Sequence, residues 1–209
     1  SIQPDRNTSA HLFHPQNPTS QGYRTTLPGP WDRLPAPTEP AARHSAGSGR
    51  LAGDCGLLLI RLTFGLLLAG HGAQKLFGLF GGQGLKGVGR GFAALGYHPG
   101  EVYAAIAGLS EFLGGLGFAL GLFTPLAAAA LIGVMINAMV SVTAAHGLWD
   151  RDGGVEYNVC IAVVALAVAA TGPGRLALDR FFRWGEGGWA AAAFALGIGG
   201  AASAVTLAL

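Results

Sequence analysis

Apolar and polar positions divide the chain into two unlike parts. In residues 1–50 proline recurs at Pro4, Pro15, Pro18, Pro28, Pro30, Pro35, Pro37 and Pro40. No apolar period of about 2.0 or 3.6 residues accompanies it, so this stretch is expected to be extended or disordered. Long apolar runs begin at Leu57. A membrane helix needs about 20 apolar residues, and five segments approach that pattern: Leu57–Phe77, Val102–Leu122, Pro125–His146, Glu156–Thr171 and Trp189–Leu209. Alternation of period two is absent, and alanine and leucine dominate, so helices are predicted and not barrel strands. The fourth segment is short, and its helix is expected to run past one of these bounds. Between the first two, Gly82-Gln83-Gly84-Leu85-Lys86-Gly87 has the spacing of a dinucleotide-binding turn. A membrane helix precedes it instead of a strand, and no βαβ unit fits before the next span. It predicts a loop leading into a short interfacial helix with Val88, Phe92 and Leu95 on its apolar side. Gly117 and Gly121, four apart, predict close helix packing.

Composition points to the same solvent. Of 209 residues, 51% are hydrophobic and 11% charged, against roughly a quarter charged in soluble domains. Nine of the 24 charged residues and eight of the 11 prolines fall in residues 1–56, which leaves the remainder poorer still. A net charge of +2 gives no field for nucleic acid, two cysteines cannot build a disulfide scaffold, and no Cys/His spacing suits zinc. No secretory signal is expected, because arginines are scattered through the tail. Asp54, directly before Cys55, argues against a lipidation box. Basic residues set the expected orientation. Arg6, Arg24, Arg33, Arg43, Arg50, Arg175, Arg180 and Arg183 fall on one side, and Lys86, Arg90 and Arg151 on the other. Eight against three puts the N-terminus in the cytoplasm, and five spans then put the C-terminus outside. Trp149, Trp184 and Trp189 sit at expected span ends, as interfacial aromatics do. Cys55 and Cys160 fall on opposite leaflets, beyond disulfide reach, and are expected to be isolated thiols. The expected fold is all-α, an integral helical bundle of the cell membrane. It comprises a Pro-rich cytoplasmic tail (1–56), a four-helix core (57–180) and an additional C-terminal transmembrane helix (181–209).

Ionisable residues within spans are the informative chemistry, since each costs several kcal/mol in hydrocarbon unless paired or hydrated. The first span carries Arg61, His71 and Lys75; the second carries Glu111. Asn137 and Ser141 lie four apart in the third, which ends at His146, and the fourth opens with Glu156. His71 and Lys75, also four apart, share a helix face, while Arg61 lies on that face about 21 Å away. His71, Lys75, Glu111, His146 and Glu156 are thus expected to converge on the outer half of the bundle. Three roles are open to them. One is a structural interhelical network, with Lys75 paired to Glu111 or Glu156. Another is a site for an amphipathic electron carrier such as a quinone, with His71 and Lys75 donating to a carbonyl oxygen and Glu111 passing protons. A divalent metal on His71, Glu111, His146 and Glu156 is the weakest, lacking any local ligand spacing. Arg61, Asn137 and Asp179 are assigned structural or topological roles, and no metal ligand is assigned.

The run Arg61-Leu62-Thr63-Phe64-Gly65, then Gly70-His71-Gly72-Ala73-Gln74-Lys75-Leu76-Phe77-Gly78, Gly114-Gly115, Gly121-Leu122-Phe123-Thr124-Pro125-Leu126 and Gly172-Pro173-Gly174-Arg175-Leu176-Ala177-Leu178-Asp179 resembles the DoxX family of small membrane proteins. The resemblance spans about 120 residues and departs from the family pattern at Ala177, where serine is common, and in the tail and fifth helix. It implies a four-helix membrane core with cytoplasmic termini. It also implies association with redox complexes, since the member that named the family is the membrane subunit of a thiosulfate:quinone oxidoreductase. The motif positions that the resemblance marks for test are Arg61, Lys75, Glu111, His146, Glu156 and Asp179, with His71 beside them. No haem ligand pair, flavin motif or iron–sulfur cysteine set is visible, so no covalently bound cofactor is expected and electrons need a partner subunit. The expected function is a membrane subunit linking a partner oxidoreductase to quinone. The alternative is a non-catalytic anchor whose tail binds a cytoplasmic partner.

Overall fold

The computed structural model describes residues 39–182 and 186–208, with side chains described from Gly49 onward. The expected tail over residues 1–38 lies outside the described residues, as do Arg183 and Trp184. The described chain is all-α: α1 (Glu39–Phe77), α2 (Gly84–Ala94), α3 (Gly100–Leu120), α4 (Thr124–Ala138), α5 (Glu156–Thr171) and α6 (Trp189–Ala208). Beyond Ala138, α4 widens into a π-helical turn over Met139–Thr143 and closes with a 3-10 turn at Ala144–His146. Four stretches are long and apolar enough to cross a membrane: Gly49–Phe77, Gly100–Leu120, Thr124–His146 and Trp189–Ala208.

Three expectations are corrected by this arrangement. Helix α1 starts at Glu39, so residues 39–56 are helical and not extended. Pro40, the last tail proline, falls in the first turn, where its missing N–H is not needed, and no proline follows until Pro99. Helix α5 keeps to Glu156–Thr171 and does not run past either bound. Gly153 ahead of it and Gly172 behind it both hold positive φ, and Pro173 follows directly. The preceding loop is also tied back, Val155 N donating to Gly147 O at 3.0 Å and Glu156 N to Leu148 O at 2.8 Å. At 16 residues α5 is about 24 Å long, short of the roughly 30 Å hydrocarbon layer.

The third correction concerns which glycines let helices approach. Gly121 admits side chains and not a neighbouring helix backbone: a Cβ there would run into the Arg61 guanidinium and lie 2.6 Å from Ala177 Cβ. Gly121 ends α3 in the left-handed conformation at φ 62°, with Leu122 N reaching back to Gly117 O at 2.8 Å. Close packing of α1 on α3 rests instead on Gly65, where a Cβ would lie 2.6 Å from both Ala119 N and Gly115 O. Helices α4 and α6 meet similarly, a Cβ on Gly199 lying 2.6 Å from Ala129 O. Around these contacts Leu68, Phe118, Leu131, Ile132, Ile161 and Val168 form the core. Leucine, valine and isoleucine at positions such as Leu59, Leu113, Val163 and Ile198 face outward, where a bilayer is their natural solvent. Helix α2 is the short helix expected after the glycine-rich loop, and it packs through the buried Gly89 on the start of α3 beside Glu101.

Candidate functional site

The antiparallel contact of α1 with α3 sets the position of the central pair. Lys75, in the last turn of α1, comes alongside Gly108, and its Nζ donates to Glu111 Oε2 at 2.6 Å. Glu111 lies midway along α3 and its side chain is only 6% exposed, against 27% for Lys75. A lone carboxylate at this depth is costly, and the ammonium compensates it. The sequence alone left Lys75 with either Glu111 or Glu156 as partner, and the helix contact selects Glu111.

Lys75 and Glu111 sit on the wall of a cavity of about 470 Å³ bounded by α2, α3, α4 and α6. Most of the lining is apolar, with Phe92 from α2 and Leu95 just after it, Ile106 and Tyr103 from α3, and Val134 from α4. Volume and lining both suit a small amphipathic molecule. A second polar edge faces the cavity from α4 and α6. Asn137 Nδ2 donates to Ser203 Oγ at 3.1 Å, and Ser141, in the π-helical turn, shares a hydrogen bond with Tyr97 Oη at 2.8 Å. Such turns recur at functional sites because they re-aim side chains within a helix. Tyr97 is held in turn by ring contacts to Phe92 and Tyr103.

The five side chains expected to converge are divided by the structure. Lys75 and Glu111 come together at the cavity, with His71 within electrostatic reach of Glu111; His146 and Glu156 make their contacts elsewhere. His71 is exposed and turns its ring towards Tyr157 of α5, with centroids 6.4 Å apart. A four-residue step leaves about 40° between two side chains, and here that offset sends one to α5 and the other to α3. His146 Nδ1 shares a hydrogen bond with Val142 O at 3.1 Å within its own turn. Glu156 accepts from Asp150 N at 3.0 Å and orders the loop before α5. Among the described residues no three His, Cys, Asp or Glu side chains are grouped to hold a metal ion. Cys55 and Cys160 are both free and exposed.

Ser203 and Thr206 escaped the sequence analysis, although α6 contributes both to the cavity wall. Their signal was present, since two hydroxyls three apart stand out on a helix otherwise built of apolar residues and glycine. Asn137, assigned a structural part, also lines the cavity.

At the other end of the bundle Arg61 is fully buried, and its Nη2 donates to Leu176 O at 2.6 Å. Asp179 caps the start of α4: its carboxylate accepts from Phe123 N at 2.6 Å and Thr124 N at 2.8 Å. Its own N–H donates to Gly121 O at 2.8 Å. Asp54 of α1 accepts from Arg175 N at 2.8 Å. The segment after α5 is thereby fastened to α1, α3 and α4 at once.

Residues 56–144 match the DoxX family, so the chain carries a DoxX domain over this stretch. The matched stretch takes in α1 from residue 56 through α4 and stops short of α5 and α6. No curated relative and no solved structure matches the chain significantly.

Proposed function

With the DoxX domain of a multi-pass membrane protein as premise, we propose that the chain is the membrane subunit of a redox complex. Its cavity takes the head of a quinone, and the chain lies in the cell membrane with its N-terminus in the cytoplasm. The observation that carries this is the ion pair of Lys75 and Glu111 on the wall of an otherwise apolar cavity of about 470 Å³. A quinone head is a flat apolar ring with two carbonyl oxygens, and it needs apolar walls with a few convergent donors. Lys75 has three N–H donors, of which the Glu111 contact uses one. Asn137 and Ser203 offer further polar contacts on the α4–α6 side.

Reduction of a quinone consumes two electrons and two protons. Lysine, glutamate, asparagine and serine are not electron carriers, so the electrons come from a partner oxidoreductase as it oxidises its own substrate. Lys75 places positive charge where negative charge builds on a carbonyl oxygen. Glu111 holds the ammonium in position and passes protons drawn from water to it. The preponderance of arginine in residues 1–56 and 175–183 supports the orientation, and the proline-rich tail supplies a segment for the partner. The test is quinone reduction by the isolated complex carrying Glu111→Gln. Loss of proton transfer lowers turnover about 10²-fold or more while assembly is retained. Normal assembly with unchanged turnover would overturn the proposal.

A further inference from the structure

Arg61 lies about 21 Å along α1 from Lys75, and the proposed quinone site gives it no part. It is 0% exposed, and Nη2 alone of its guanidinium nitrogens has a hydrogen-bond partner, Leu176 O. Nε and Nη1 have none among the described residues. Both carboxylate oxygens of nearby Asp179 are taken by Phe123 N and Thr124 N. Unpaired donors on a buried cation are unfavourable unless an anion comes to meet them.

Arg61 belongs to the wall of a second cleft, of about 370 Å³, together with Leu58, Leu62 and Leu120. Arg175 and Arg180 stand on its rim. Arg180 is steadied over the Phe181 ring, 5.0 Å from its centroid, and Arg175 Nε lies 3.6 Å from Asp54 Oδ2. Three guanidinium groups therefore face two carboxylates, leaving one positive charge beside an aliphatic helix wall. Phe181, Phe182 and Trp189, all strongly exposed close by in sequence, are the residue types found at a membrane interface.

We propose that this cleft binds an anionic phospholipid. The phosphate lies against the exposed Arg175 and Arg180, with the buried Arg61 charge behind them, and an acyl chain follows Leu58, Leu62 and Leu120. This division of charge and grease matches such a lipid and no soluble anion. The site is independent of the quinone reading.

The experiment is native mass spectrometry on the full chain released from detergent micelles, with phosphatidylglycerol, phosphatidylcholine or inorganic phosphate added. Phosphatidylglycerol is expected to be retained at least about tenfold better than phosphatidylcholine, two lipids of like chains and different charge. Arg175→Gln with Arg180→Gln, at exposed positions outside the six α-helices, is expected to weaken phosphatidylglycerol retention about thirtyfold, for two basic side chains near an anionic headgroup. Equal retention of the two lipids, or unchanged retention in the double variant, overturns the proposal. Displacement of phosphatidylglycerol by inorganic phosphate also overturns it and makes the cleft a soluble-anion site.

Discussion

Replacing Lys75 by methionine keeps an unbranched stem of similar length and removes the ammonium 2.6 Å from Glu111. The carboxyl that remains is 6% exposed and has no other hydrogen-bond donor among the described residues. Breaking a buried pair from one side costs about 3–5 kcal/mol, because a buried charge is left without compensation. Lys75 is itself 27% exposed, which places this pair near the lower end, about 3 kcal/mol. In a chain of this size 1 kcal/mol shifts Tm by about 2–4 °C, so the loss is roughly 6–12 °C. Glu111→Leu added to Lys75→Met removes the charge that was stranded and is expected to recover most of that loss, since an apolar pair of similar volume is often neutral or stabilising. The assay is thermal unfolding of the purified chain in one detergent, followed for wild type, both single variants and the double. Their coupling energy isolates the pair from general packing effects. Lys75→Met within about 2 °C of wild type, with a double variant no more stable than it, would refute the claim that the pair is buried and mutually compensating.

Three further outcomes test other parts of the structure. Asp179→Ala removes the acceptor that caps α4 through Phe123 and Thr124 and should lower stability by about 1–2 kcal/mol, read as a fall in Tm, with Asp179→Asn losing less. Gly199→Val forces a side chain against Ala129 O. It should cost about 1–3 kcal/mol and loosen α6 from α4, detected as new protease cleavage between α5 and α6. His146→Ala, at an exposed turn outside the cavity, should change both Tm and quinone turnover little, within about 0.5 kcal/mol; a large loss of turnover would bring His146 back into the site.

The fold was readable where one local rule decided each element. Helix α6 starts at its expected residue, Trp189, directly after Gly187 and Gly188, whereas α5 was expected to run past Glu156 or Thr171 and is held to those bounds by Gly153, Gly172 and Pro173. The start of α1 was not readable in the same way, since proline density suggests an extended chain up to Pro40 and beyond, while helix resumes wherever proline stops. The candidate site was half readable. Rarity of charge in an apolar chain singles out Lys75 and Glu111, but helical periodicity gives only depth and direction along one helix. It does not state which neighbour each face meets. That depends on contacts such as Gly65 with Gly115, which bring α1 onto α3, and Gly199 with Ala129, which brings α6 onto α4. Those contacts direct His71 towards Tyr157, leave Lys75 to Glu111, and add Ser203 of α6 to the cavity wall.

The most direct measurement of the central claim is the quinone content of the full chain, gently extracted from its membrane and analysed by mass spectrometry beside Ala107→Phe. Ala107 lines the cavity and is half-buried, so a phenyl ring there fills space a quinone head needs without removing either partner of the ion pair. Quinone is expected bound in a fixed ratio to the wild-type chain and absent from Ala107→Phe at equal Tm. Equal quinone in both proteins, or none in the wild type after mild extraction, would contradict the claim.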